Sequence, residues 1–124
     1  MGTRVTLRPL AVRDATRTYE IVHRADGEVI GVADCRPDEP AADWLTFEWV
    51  EIEPGRRGWG YGSEAVRLLE AEAKAKRFLA RVDARNGLGL YFWLRLGYRP
   101  AGPDEVFGRP PRGMITMVRA TEAA

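Results

Sequence analysis

The stretch EIEPGRRGWGYGSEAVRLLE, residues 51–70, decides how the rest of the chain is read. A hydrophobic strand runs through Pro54 into an arginine-glycine turn, and a helix follows directly. Gly58, Gly60 and Gly62 alternate with Trp59 and Tyr61. Glycines so spaced let successive backbone N–H groups turn inward as a concave nest for an anion. The first turn of the helix adds unpaired N–H donors and a partial positive charge, so a pyrophosphate over Gly60 to Ser63 is the ligand this turn suits. Two other glycine loops are excluded. A dinucleotide fingerprint needs glycine at position 63, which is Ser63, and a Walker loop needs a Gly-Lys pair, which is absent. A turn that only joins strand to helix is the remaining alternative, and the conformational entropy lost by three glycines weighs against it.

Outward from that stretch, the chain has 124 residues, 45% hydrophobic and 30% charged, enough for one small domain over residues 1–124 with one core. Nineteen Lys and Arg against 18 Asp and Glu leave a net charge of +1, with charges scattered along the chain. That balance gives no electrostatic footprint for nucleic acid or a membrane surface. The single cysteine, Cys35, excludes an internal disulfide and a thiolate metal cluster and fits a reducing cytoplasm. No apolar run approaches a membrane span, and MGTRVTLRPL alternates instead of forming a signal-peptide block, so an unexported, cytoplasmic protein is expected.

Residues 3–8 alternate and meet Pro9, which predicts a first strand, with at most a turn of helix around residues 11–16. TYEIVHR predicts a second strand, Asp26-Gly27 a hairpin turn, and EVIGVADCR a third strand. After the polar loop PDEPAAD, residues 43–53 form a long fourth strand. On it Trp44, Thr46, Glu48, Val50 and Ile52 share one face, and Leu45, Phe47, Trp49, Glu51 and Glu53 the other, unless a bulge reverses the alternation. A helix is predicted from Gly62 to about Lys76, with Val66, Leu69 and Ala73 inward and Glu70–Lys74 and Glu72–Lys76 as solvent pairs. Residues 77–84 give a buried fifth strand. Asn86 caps a second helix that packs through Leu88, Phe92 and Leu96 and stops at Gly97. Tyr98 starts a sixth strand, and residues 113–121 form a seventh.

At Arg57, Gly60 and Gly62 the chain resembles the GNAT superfamily of N-acetyltransferases, whose acetyl-CoA signature is Arg or Gln, two residues, Gly, one residue, then Gly or Ala. Val50, Ile52 and Pro54 resemble the family's fourth strand, and GYGSEAVRLLE the opening of its cofactor helix. NGLGLYFWLRLGY, residues 86–98, is similar to the second signature, through Asn86, Gly89, Phe92, Trp93, Gly97 and Tyr98. Arg8, Pro9 and the helix-capping acid Asp14 match the family's usual opening. The resemblance covers residues 1–10 and about 28–120. It implies an α+β fold, a mixed, largely antiparallel sheet of six to seven strands with two main helices. The chain departs from the family in leaving no room for the usual N-terminal helices.

What the resemblance implies is acetyl transfer from acetyl-CoA, as co-substrate and without metal, to a primary amine by direct attack. The amine could belong to a small molecule, a peptide or a protein N-terminus, the last hinted by the likeness of GYGSEA to the ribosomal-protein acetyltransferase branch. The cofactor is expected on Arg57, Gly58, Trp59, Gly60, Tyr61, Gly62 and Ser63. Backbone N–H groups of Val50 and Ile52, freed by a family bulge, hold the acetyl carbonyl and pantetheine amides, and Asn86 and Trp93 meet the pantetheine arm. Trp93 stands at the family's catalytic tyrosine position, and an indole N–H cannot release a proton at biological pH. Water, Tyr98 or Tyr91 would then protonate the thiolate, although Tyr91 lies about 200° around the helix from Trp93. Alternatively the domain is a non-catalytic acyl-CoA-binding or regulatory module. Glu48 is the candidate base before Glu51, with an ordinary ion pair as the competing account, and the lone His23 stays outside the site. The missing helices leave the acceptor wall to an open peptide site, to a homodimer that also covers bare apolar sheet, or to the 99–113 loop with Phe107 and Arg109.

Overall fold

Strands four and five run parallel from Trp44↔Arg77 to Phe47↔Ala80 and then part, and the rest of the fold is arranged around that seam. The structure is a computed structural model that describes residues 3–106 and 111–121. It contains β1 Val5–Arg13, β2 Thr16–His23, β3 Val29–Pro37, β4 Trp44–Ile52, α1 Tyr61–Ala73, β5 Arg77–Asp83, α2 Gly87–Arg95, β6 Arg99–Pro100 and β7 Met114–Ala120. One seven-stranded sheet results, in the order β1-β2-β3-β4-β5-β7-β6, antiparallel except at β4–β5. The mixed, largely antiparallel sheet with two main helices read from the sequence is the fold found.

The N-terminal half departs from expectation. β1 does not end at Pro9 but continues to Arg13, and no helical turn follows. Asp14 and Ala15, at φ 49° and 70°, form a two-residue hairpin turn between the paired Arg13 and Thr16. Positive φ at both central positions is the turn geometry that matches strand twist. Asp14 therefore turns a hairpin and caps no helix. Pro9 is tolerated because β1 is an edge strand and a register shift between Pro9 and Ala11 interrupts the ladder beside it.

A second register shift makes the cleft. Asp34 pairs with Trp49 but Cys35 pairs with Phe47, so Glu48 is the extra residue of a bulge. Side-chain alternation reverses there. Leu45, Phe47, Val50 and Ile52 all join the core beneath the helices, and Val50 and Ile52 do not share a face with Trp44, Thr46 and Glu48. Both helices pack on this face, where Ile21, Ala33, Val66, Leu69, Phe78, Trp93 and Tyr98 are buried. A smaller cluster of Trp44, Leu79 and Val118 lies apart from it, packed against Ala41, Ala101 and Val106.

The face left bare by the missing helices carries polar cross-strand pairs beside the exposed Trp49. Thr18 donates to Asp34 at 2.6 Å, Thr16 to Glu48 at 2.6 Å, and Arg8 to Glu20 at 2.7 Å. Cross-strand polar pairs of this kind close a solvated sheet face. Phe107 and Arg109, the expected lid residues, lie outside the described residues.

The helices also differ in detail. α1 ends at Ala73 with Lys74 left-handed at φ 53°, which puts Lys76 beyond it. Glu70 is not on the solvent face: it is 6% exposed and accepts from Tyr98 Oη at 2.6 Å, Arg119 at 2.9 Å and Arg67 at 2.8 Å. Burial alone would raise the Glu70 pKa, and these three donors outweigh it and hold the carboxyl below its usual range. α2 is turned so that Trp93 and Leu96 are buried and Leu88 is 85% exposed. Arg67 also donates to the Leu96 carbonyl, tying α1 to the end of α2.

Candidate active site

Where β4 and β5 part, a cleft of about 1110 Å³ opens, with the glycine turn on one side and α2 on the other. Glu48, Val50, Ile52, Arg57, Gly58, Trp59, Gly60, Tyr61, Gly62, Ser63, Asn86 and Trp93 all line it. Residues from 48 to 93 thus meet around one space because the bulge at Glu48 turns β4 away from β5. Tyr98 is not among them. Its ring is 1% exposed, and its hydroxyl is committed to Glu70 at 2.6 Å. Burial, then the neighbouring carboxylate, pushes its pKa far upward. Tyr98 is a core residue that does not reach the cleft, which is where a catalytic acid would have to stand.

The glycine turn is built by backbone conformation. A 3₁₀ turn at Pro54–Arg56 leads to extended Arg57, then Gly58 and Gly60 take φ of 87° and 84°, and Gly60 caps α1 without a side-chain hydrogen bond. A side chain at Gly58 would meet nothing within 4 Å, and one at Gly60 only the Arg4 guanidinium at 3.3 Å, so the space above these amides is open. Gly62 is favoured for another reason: a Cβ there would come within 3.2 Å of the Phe92 ring, where α1 and α2 touch. An open nest at the head of a 13-residue helix fits a pyrophosphate.

The strand side supplies donors as well. The Glu53 N–H donates to the Ile30 carbonyl at 2.9 Å, toward β3. Alternation along an antiparallel strand then turns the N–H groups of Val50 and Ile52 the other way, into the cleft. The Ile52 carbonyl follows the same direction, since Arg57 Nε reaches it at 2.7 Å. Arg57 thereby fastens the turn to the strand that precedes it. Asn86, which lines the cleft, accepts from the Gly89 N–H at 2.9 Å, which commits its oxygen to capping α2 and leaves its two amide donors outside that bond.

Trp93 is 7% exposed, packed against Phe47, Phe92 and Tyr98 at centroid distances of 5.4, 5.1 and 4.8 Å. Tyr91 also lines the cleft, against the expectation from its helical angle, and is 59% exposed under the Arg95 guanidinium. The helical angle misleads because two residues on one helix can both border a wide opening. Behind the turn, Arg56 bridges Asp26 and Glu28 of the β2–β3 hairpin at 3.0 and 2.7 Å. His23 lies 3.3 Å from the Tyr61 hydroxyl. Cys35 is buried beside Phe47's strand position, and burial pushes its thiol up to about 11, which leaves it inert as a nucleophile. No cluster of metal-ligating side chains occurs among the described residues.

A splayed sheet with an amide nest at a helix head and free strand donors defines the class of acyl-CoA-binding N-acyltransferase folds. The sequence matches the model of the acetyltransferase (GNAT) family over residues 4–98, and the chain belongs to that family. No curated protein matches it. Solved structures do. An acetyltransferase from Thermus thermophilus superposes with a TM-score of 0.71 at 20% identity, over 89% of this chain and 67% of that one. A spermidine N-acetyltransferase chimera of Vibrio cholerae SpeG and hSSAT gives 0.73 at 15% identity, over 95% and 96%. A GNAT acetyltransferase from Elizabethkingia anophelis with acetyl-CoA bound gives 0.70 at 14% identity, over 97% and 100%. Likeness at identities this low shows the shared fold.

Proposed function

We propose that residues 1–124 form one acetyltransferase domain that moves the acetyl group of acetyl-CoA to a primary amine by direct attack. The observation that carries this reading is the cleft itself, which the amide nest and the Val50 and Ile52 strand segment line together. The nest and the head of α1 hold the pyrophosphate. The strand amides polarise the thioester carbonyl and receive the charge that develops on its oxygen. The acceptor nitrogen attacks the carbonyl carbon, the carbon–sulfur bond breaks, and the ammonium proton passes to Glu48. Trp93 can donate a hydrogen bond but no proton, so the departing thiolate is protonated by water or Tyr91. Trp93 at the expected tyrosine position also favours a second reading, an acyl-CoA-binding module without turnover. The lone buried thiol of Cys35 supports placing the protein in a reducing compartment.

The test is the melting temperature with and without excess acetyl-CoA, for the wild type and Gly60→Glu, with free-thiol release followed over a pool of amines. A ligand at 100 times its Kd stabilises the native state by about 2.7 kcal/mol. The expected outcome is a stabilisation lost in Gly60→Glu together with amine-dependent thiol release. Stabilisation without release would favour the binding module, and no stabilisation would overturn both readings.

A further inference from the structure

The last paired residues of the parallel seam are Phe47 and Ala80. The next residue on each strand is charged, Glu48 on β4 and Arg81 on β5. Had the ladder continued by one rung, strands about 4.8 Å apart would have placed them as a cross-strand ion pair. The bulge prevents it. Glu48 accepts instead from Thr16 Oγ1 at 2.6 Å. Among the described residues neither Glu48 nor Arg81 forms an ion pair. Both are exposed and both line the cleft. Phe47 and Ala80 point into the core beneath the helices, so the residues that follow them point to the opposite, open face.

The surrounding charges are otherwise engaged. Asp34, held by a threonine at 2.6 Å just as Glu48 is, does not line the cleft; Asp83 is held by Arg85 at 3.3 Å, and Glu51 lies 4.0 Å from Arg57. Arg56 bridges Asp26 and Glu28, and Arg95 sits over the Tyr91 ring. What lines the cleft on the open side of the seam is therefore one anion on one strand and one cation on the other. A diamine would meet the repulsion of Arg81, and a plain monoamine would leave Arg81 unused. A molecule with an amine and a carboxylate satisfies both walls, and the planar guanidinium suits a carboxylate in two-pronged contact.

We infer that the acceptor is a zwitterion of the amino-acid type, its amine directed to Glu48 and its carboxylate to Arg81. This rests on the acyl-transfer reading above and specifies its substrate. The experiment measures thiol release at saturating acetyl-CoA for each common amino acid, for its α-amide, and for 1,4-diaminobutane. An amide's ammonium is more acidic than that of the parent amino acid, so unassisted chemistry favours the amide. The expected result is a kcat/KM at least about tenfold higher for one or more amino acids than for their amides, carried by KM. Arg81→Ala should bring that ratio to about one, and Arg81→Lys should restore part of it. The melting temperature of each variant with acetyl-CoA reports its fold and cofactor site separately. Equal or better turnover of amides or the diamine by the wild type, or a ratio that Arg81→Ala leaves intact, overturns the zwitterion while acyl transfer stands. Release with no amine at all overturns both.

Discussion

The two ends of the cleft are made of different material. The end proposed for the cofactor is a backbone construction of Gly58, Gly60 and the amides at the head of α1, with Val50 and Ile52 adding main-chain donors. The end proposed for the acceptor is made of side chains, Glu48 and Trp49 on β4 and Arg81 on β5. Backbone surfaces depend on conformations that few residues can adopt, whereas side-chain surfaces can be rewritten one residue at a time. One fold can therefore keep its donor substrate and change its acceptor.

The largest expected effect comes from the frame that both ends share. Glu70→Ala strips the buried carboxylate from Tyr98, Arg119 and Arg67, and removing one partner of a buried pair costs about 3 kcal/mol when its partners retain some contact with water. Chemical denaturation of the variant measures it, and a loss below about 1 kcal/mol would show that the network does not hold the ends together. The same group sets an acid limit. Its folded pKa is depressed, so its contribution is fully present above the unfolded glutamate value of about 4.3 and is lost as pH falls through the lower folded value. Melting curves of the wild type should fall over that window, and Glu70→Gln should flatten the fall.

Next comes a change confined to the cofactor end. Gly58 is left-handed with nothing near its missing Cβ, so Gly58→Ala introduces conformational strain without a clash, of about 1–2 kcal/mol. If the nest is a backbone device, acetyl-CoA binding measured by calorimetry weakens along with stability. Unchanged affinity would break the distinction between the two ends. The smallest effect tests the same distinction from the other side. Arg57→Ala removes one side-chain bond to the Ile52 carbonyl, worth about 1 kcal/mol, and should weaken acetyl-CoA binding by roughly fivefold. A loss far exceeding that of Gly58→Ala would mean that the arginine, not the main chain, carries the cofactor.

This contrast also separates what the sequence reveals from what it does not. The cofactor end is legible because its parts are contiguous: glycines at alternate positions before a helix state a backbone conformation directly. Glu48 opposite Arg81 is not legible, since it depends on a parallel register between distant strands and on a bulge whose position only pairing to β3 defines. The hairpin at Asp14–Ala15 escapes the reading because alanine is not a residue that announces positive φ. Glu70 reads as a solvent residue because a glutamate four residues before a lysine has the spacing of a surface pair. Its true partners, Tyr98 and Arg119, come from elements formed much later in the chain. Leu88 reads as core because leucine at helical spacing usually is, and here α2 is rotated to bury Trp93 instead.

That short turn at Asp14–Ala15 also bears on how the chain assembles. With no helices between β1 and β2, the first four strands form a meander in which each strand pairs with its neighbour in sequence. Only small loops must close to make it, at little entropic cost. The parallel junction of β4 with β5 is different, because a whole helix must be threaded between its partners before any of its rungs can form. The loop-closure entropy of the sheet is thus highest at two junctions, the short seam whose early parting opens the cleft and the β5–β7 pairing across the second helix.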